Sequence, residues 1–434
     1  MQFLFKVIIL FCILFNFRVP IFYNSIIVSI LLSAGYYQFK KGAIPFTPFF
    51  QRFNAVILIA TVVLAFVVSL IAVLHNMDIM PTRAKRVWLE FLMLWAIVFV
   101  LPLLAEGKES SVFEEVAVIV CSAFALQGLI SLMAYLYAPL GSFLMSMKPP
   151  EVVADDAASI LDNRFRYLNL SGILLVELTA AFGVAFITFF WSQLRSNHEN
   201  MSGWKKYLIF AFIFVGTTFS GRTGFIGLVM GVAGWLFFSY DKLLMFIKRN
   251  IINIIGAYLV FLLVYNVILT GKQRQSLNND VFPFAFEWYY THKESGKYEV
   301  SSTEAIPQHY FYLYDETLLK GHGIDAYGAH TIYPHSDAGY INNLVYGGIP
   351  FLVCLIIYQC LYFARPIAIT RTDNSRNNRI DLIFFIILFL YVFIVEIKAP
   401  AVGYMYNIEG MYLALGSAYV MQYYTQREQN ELIE

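Results

Sequence analysis

Residues 55–74 read AVILIATVVLAFVVSLIAVL, a stretch without one charged side chain. About 20 apolar residues in helical form cross the hydrocarbon core of a bilayer, whereas a soluble core helix of that length keeps a polar face. The stretch predicts a membrane-spanning helix, and the rest of the chain is read outward from it. Similar runs recur along the 434 residues and give twelve spans, at about 2–17, 22–39, 54–75, 87–104, 112–138, 168–191, 206–219, 223–240, 250–270, 338–363, 381–398 and 403–424. The expected fold is an all-α polytopic membrane protein, a single integral membrane domain over 1–434. An outer loop is expected at 139–167, and a large outer, periplasmic loop at 271–337 between spans nine and ten.

Composition agrees. AVILMFWYC residues make up 59% and charged residues 14%, with a net charge of +1, where soluble domains carry about 25% charged residues. A soluble globular enzyme and a disordered chain are excluded. So is a nucleic-acid partner, which would need a clustered excess of Lys and Arg. The bilayer is the expected surrounding. Cys12, Cys121, Cys354 and Cys360 all fall inside apolar runs, as small buried hydrophobes do, so neither a disulfide framework nor a cysteine zinc site is expected. The N-terminal run lacks a small-x-small cleavage site and leads into Phe17-Arg18-Val19-Pro20, so it reads as a retained helix.

Orientation follows the excess of Lys and Arg in short inner loops. With both termini cytoplasmic, the inner segments hold Lys40, Lys41, Arg52, Lys108, Arg195, Lys205, Lys206, Lys242, Lys248, Arg249, Arg365, Arg371, Arg376 and Arg379. The short outer loops hold Arg18, Arg83, Lys85, Arg86, Arg222 and Lys398, and the Arg83–Arg86 cluster argues against this orientation.

In this topology spans six, eight and ten begin at the outer face, where a helix N-terminus offers unpaired N–H groups and positive potential. Span six follows Asn163-Arg164-Phe165-Arg166-Tyr167, span eight opens with Ser220-Gly221-Arg222-Thr223-Gly224, and span ten follows Pro334-His335-Ser336-Asp337. Arginine at a helix N-terminus opposes the macrodipole at a cost of a few tenths of a kcal/mol, roughly. An anion held between Arg166, Arg222 and the bare N–H groups would offset that cost. The plain alternative is that these arginines snorkel to lipid phosphates. His335 reads either as an exposed loop histidine or as a general base oriented by Asp337 or a carbonyl. The spacing His322-x7-His330-x4-His335, near Asp325, matches no ligand geometry, so no metal is expected. Glu177 is expected near the middle of span six on the face of Arg166, as a functional carboxylate or a structural partner. Glu396 and Lys398 are expected to reach the interface. The large loop carries thirteen aromatics, including Phe282-Pro283-Phe284-Ala285-Phe286-Glu287-Trp288-Tyr289-Tyr290. This run reads as a segment lying on headgroups or as stacking platforms for sugar rings.

These motifs, in this order, resemble the O-antigen polymerase and O-antigen ligase superfamily of bacterial membrane glycosyltransferases. The resemblance covers roughly 160–355. It rests on the Ser220–Gly224 turn, the Gly321-His322-Gly323-Ile324-Asp325 stretch late in the large loop, His335-Ser336-Asp337, and the glycine-broken helix through Gly347-Gly348-Ile349-Pro350. It implies an inner-membrane enzyme, without a cofactor, that moves a glycan from undecaprenyl diphosphate to an acceptor hydroxyl with inversion. Arg166, Arg222 and His335 would be catalytic. Arg164, Ser220, Thr223, Asp337, Glu177 and Tyr340 would touch substrate. The expected activity is polymerisation, the acceptor being another lipid-linked repeat unit, with a chain-length regulator as a possible partner. A ligase passing glycan to lipid A–core is the near alternative. A lipid-linked oligosaccharide flippase is the alternative from another class, and it would centre on Glu177 rather than on Arg222 and His335.

Overall fold

The computed structural model describes residues 2–20, 22, 24–75, 82–107, 111–148, 164–173, 175–195, 203–240, 262, 264–297, 300–324, 333–372 and 375–431. Among them there is helix and turn but no strand. The main helices are α1 (Gln2–Phe15), α2 (Ser25–Lys41), α3 (Arg52–Leu74), α4 (Thr82–Ala105), α5 (Val112–Leu136), α6 (Leu175–Arg195), α7 (Lys205–Ser220), α8 (Thr223–Ser239), α9 (Gly339–Thr370), α10 (Arg376–Glu396) and α11 (Tyr406–Glu431). Six of them, α3, α4, α5, α6, α9 and α10, are long and apolar enough to cross a membrane. The apolar face of α3 stays open, with Ile59, Val63, Phe66 and Leu70 exposed, whereas α4, α5 and α6 are largely buried. Apolar side chains facing outward around a sealed centre mark a membrane-embedded bundle.

Hydrogen bonds fix which helix ends lie together. Tyr346 of α9 donates to the Val68 carbonyl of α3 (2.9 Å), and Asn343 donates to Glu396 at the end of α10 (2.5 Å). The end of α3, the start of α9, the end of α10 and the start of α11 therefore share one end of the bundle, termed the site end. At the far end Ser417 of α11 donates to Asn54 of α3 (2.6 Å).

Several boundaries differ from the sequence expectation. Arg83, Lys85 and Arg86 lie in the first turns of α4, not in a loop. Arg83 is 1% exposed and stacks on Tyr346 and Phe351 (4.7 and 5.0 Å). Arg86 pairs with Glu177 and stacks on Tyr404 (4.2 Å). Their charge is used inside the bundle, which is why a loop-charge count misreads them. α6 starts at Leu175 rather than 168, because the preceding backbone is tied elsewhere. Gly172 N–H donates to Phe15 O (2.9 Å), and Lys148 donates to Asn169 and to Ser171 O (2.9 and 3.2 Å). Glu177 accordingly sits in the first turn of α6, not mid-span. Glu396 is buried rather than at the interface. It also accepts from the Ala401 and Val402 amides (2.6 and 3.2 Å), which close the turn into α11.

Both expected outer loops hold helices. Ala138–Ser146 opens the first, and residues 149–163 lie outside the described residues. The second carries Gly271–Ser276, Phe282–Ala285, Glu287–Ser295, Ser301–Glu304, Ile306–His309 and Asp315–Lys320. Most of expected span nine, 250–270, also lies outside the described residues.

One joint fastens the large loop to the bundle. α9 leaves helical geometry at Gly347 and Gly348, and Pro350 has no N–H to give to the Tyr346 carbonyl. The loop supplies the missing donors: His322 N–H bonds to Val345 O (2.7 Å) and Gly323 N–H to Tyr346 O (2.8 Å). Gly348 has φ +69°, and a Cβ there would lie 2.7 Å from Leu318 O, so only glycine fits.

Candidate active site

The connection between α7 and α8 is two residues, Gly221 and Arg222. Close packing against α6 holds it. A Cβ on Gly227 would lie 2.3 Å from the Gly183 Cα, and one on Gly224 2.8 Å from Thr179 O, so α8 rests backbone to backbone on α6. Ser220 is buried and bonds back to Gly216 O (2.8 Å), and Thr223 is buried as the first residue of α8. Arg222 is left as the N-cap of α8 with no side-chain cap, facing out of the turn.

Arg166 reaches the same place from the 3-10 turn Arg164–Tyr167, and its Nε donates to Ser220 O (3.1 Å). The guanidiniums of Arg166 and Arg222 stand 4.4 and 4.9 Å from the centre of one ring, Phe284 of the large loop. Cation–π attraction of about 0.5–2 kcal/mol each works against the repulsion between them. The Glu287 carboxylate pairs with Arg222 and offsets it further. The first part of the aromatic run is thus engaged with the arginines and the bundle rather than free along its whole length. Phe284 floors the arginines and Phe286 packs near Phe214 and Phe225, while Trp288 and Tyr289 remain exposed.

A third cation joins them. Lys398, just past α10, has its pKa pulled down to about 8 by burial, then by Arg222 and Arg166, with Asp337 opposing. Burial also lowers the pKa of Arg222. Lys398 thus lies within electrostatic range of both arginines and of Asp337, which belongs to the second half of the site. There His335 Nε2 lies 3.0 Å from Asp337 Oδ1, with the imidazole half-exposed. The Asp337 N–H donates to His309 Nδ1 (3.1 Å), which leaves the His309 proton on Nε2, 3.7 Å from Asp337 Oδ2. Ser336 donates to His309 O (2.9 Å). Tyr340 donates to Phe393 O (3.1 Å) and Tyr310 to Ile397 O (2.9 Å), both beside the end of α10.

Of the residues singled out from sequence, Arg166, Arg222, Ser220 and Thr223 gather at the turn, and His335, Asp337 and Tyr340 at the start of α9. Arg164 begins the same 3-10 turn as Arg166. Glu177 faces away, to Arg86 of α4. Lys398, Glu287 and His309 were not singled out. His322 bonds Thr317 (2.8 Å), while Asp325 and His330 lie outside the described residues. Among the described residues no three His, Cys, Asp or Glu side chains gather as metal ligands. Chemically the described residues offer paired guanidiniums at a helix N-terminus and, at the start of α9, a carboxylate-oriented imidazole. That combination suits neutralising an anionic leaving group while a hydroxyl is deprotonated. No protein-family model matches the chain, and no curated protein matches it.

Proposed function

We propose that this chain is a surface-polysaccharide polymerase of the O-antigen kind, a twelve-pass bacterial inner-membrane protein with cytoplasmic termini. The observation that carries the reading is the convergence of the Arg166 and Arg222 guanidiniums on one ring, Phe284, at the start of α8. Two guanidiniums held on one ring, with Lys398 in electrostatic range, match a diphosphate better than a single headgroup phosphate. In the proposed reaction His335 takes the proton of the acceptor hydroxyl, and that oxygen bonds to the anomeric carbon of the donor glycan. The bond from that carbon to the undecaprenyl diphosphate oxygen breaks, and its electron pair leaves on the diphosphate held by the cations. The result is inversion in one displacement. The acceptor is a second lipid-linked repeat unit, and a chain-length regulator is a candidate partner. Glu287 occupies the diphosphate's place on Arg222 until the donor displaces it.

The test is the lipopolysaccharide ladder of a strain lacking this gene, complemented with wild type or Arg222→Ala. Core carrying a single repeat unit with the variant supports polymerase. Complete loss of repeats overturns it, with lipid-linked polymer at the outer face pointing to ligase. A transport reading draws on a different observation. Glu90 accepts from Tyr358 and Tyr362, Tyr358 shares a hydrogen bond with Thr61 (2.8 Å), and buried Oε2 atoms of Glu90 and Glu409 lack hydrogen-bond partners. Intermediates trapped on the inner face in Glu90→Gln, with a normal ladder in Arg222→Ala, would favour flipping.

A further inference from the structure

At the far end of the bundle a cavity of about 530 Å³ opens between the start of α3, the last third of α9 and the end of α11. That size is in the range of small-molecule sites, roughly 300–1,000 Å³. Its lining divides sharply. Phe53, Leu361 and Val420 form apolar walls, and Ala364 and Ala368, one helical turn apart on α9, leave the space between them. Arg52 and Arg365, both exposed, are the charged lining residues, and among the described residues no carboxylate lines the cavity. Arg365 is steered by Tyr424 of α11, which accepts from its guanidinium and lies 5.6 Å from it, ring centre to Cζ. Arg52 opens α3, whose N-cap Gln51 makes no side-chain cap and whose first turn holds no acid. Positive charge is therefore placed against the dipole of α3, with no acid in that helix's first turn to offset it.

We propose that this cavity binds one anionic phospholipid, its phosphate between Arg52 and Arg365 and the top of an acyl chain along Ala364 and Ala368. Charge complementarity selects the anion, and the walls select a lipid over a free phosphate. Neighbouring Val56, Ile59 and Val63 of α3 are exposed as a lipid-facing surface, so an acyl chain enters without leaving hydrocarbon. Basic pockets between helices hold anionic headgroups in this manner. The site is independent of the glycosyl-transfer reading, which concerns the opposite end.

The experiment is native mass spectrometry of the purified full-length protein, titrated with phosphatidylglycerol or phosphatidylcholine. One phosphatidylglycerol should survive conditions that strip phosphatidylcholine. Removing an arginine should weaken phosphatidylglycerol binding about fivefold, and Arg52→Ala with Arg365→Ala roughly 25-fold, with phosphatidylcholine unchanged. Ala368→Phe fills the groove, keeps both charges and should also abolish retention. Wild-type retention by the double-arginine variant, or equal retention of the two lipids by the wild type, overturns the proposal. So does equal competition by inorganic phosphate. The arginines are exposed, so their variants fold and decide the matter even if Ala368→Phe does not.

Discussion

Two guanidiniums on one phenyl ring is the residue-scale fact on which the candidate chemistry rests. Removing one charge-stabilising donor from such a site costs on the order of 10²–10³ in turnover. Arg222→Ala and Arg166→Ala should each fall in that range in a reconstituted polymerisation assay. Arg222→Lys should recover only part, because an ammonium lacks the planar fork that both spans phosphate oxygens and lies on Phe284. Lys398 adds a pH dependence whose sign is set by its lowered pKa of about 8. Raising the pH through 8 removes a positive charge from the folded site, so affinity for inorganic pyrophosphate should fall there. Lys398→Arg should flatten that fall. The same depression makes the folded state gain stability between about pH 8 and the ordinary lysine range, because the unfolded chain still binds the proton. A pyrophosphate titration at pH 7 and pH 9 reads the first effect, and a pH-independent affinity in the wild type would count against Lys398. Arg222 was legible in the sequence because arginine at a helix start conflicts with its own neighbours, whereas Arg166 was picked on a helix start that the structure places nine residues later, at Leu175. Lys398 was not legible, since a lysine after a span reads as a snorkelling anchor. Glu287 was one acid in an acidic loop, with no local sign of its partner.

For whole helices, hydrophobic runs located the elements well and their ends poorly. The ends moved wherever polar residues continued a helix inside the bundle, as at Arg83–Arg86, or where tertiary bonds held an apolar stretch out of one, as at 168–173. Glu177 shows the functional cost of such a shift. Placed mid-span it looked like a transport carboxylate, but in the first turn of α6 it is the counterion of Arg86. Glu177→Ala should therefore destabilise by about 3–5 kcal/mol, as loss of one partner of a buried pair does. Replacing both residues by apolar ones should restore most of the melting temperature in a thermal-unfolding assay. A lost activity that the double variant fails to recover would instead give Glu177 a direct role. The break in α9 makes a separate prediction. Gly348→Val forces a side chain into Leu318 O at a left-handed position, a change costing about 1–3 kcal/mol. Limited proteolysis should then cut first between 311 and 324, before the bundle opens.

Across the whole molecule, charge is sorted by function more than by loop. Arg83 and Arg86, which α4 buries or pairs, are not loop charges and do not weigh on the orientation of the termini. An impermeant maleimide should label Ser301→Cys in intact cells and Gln429→Cys only after permeabilisation; the reverse pattern would invert the topology. Of the twelve spans expected, six helices are by themselves long and apolar enough to cross a membrane, while α1, α7 and α8 are shorter and α11 is polar at its end. The fastening of the large loop has a last consequence. Its two hydrogen bonds to α9 run from main chain to main chain, and a missing proline donor creates one of the acceptors. Such a clasp is blind to the side chains of the residues it does not seat. The exposed aromatic and acidic positions farther out can be rewritten, or exchanged as a cassette, while the hinge on which they hang stays shut.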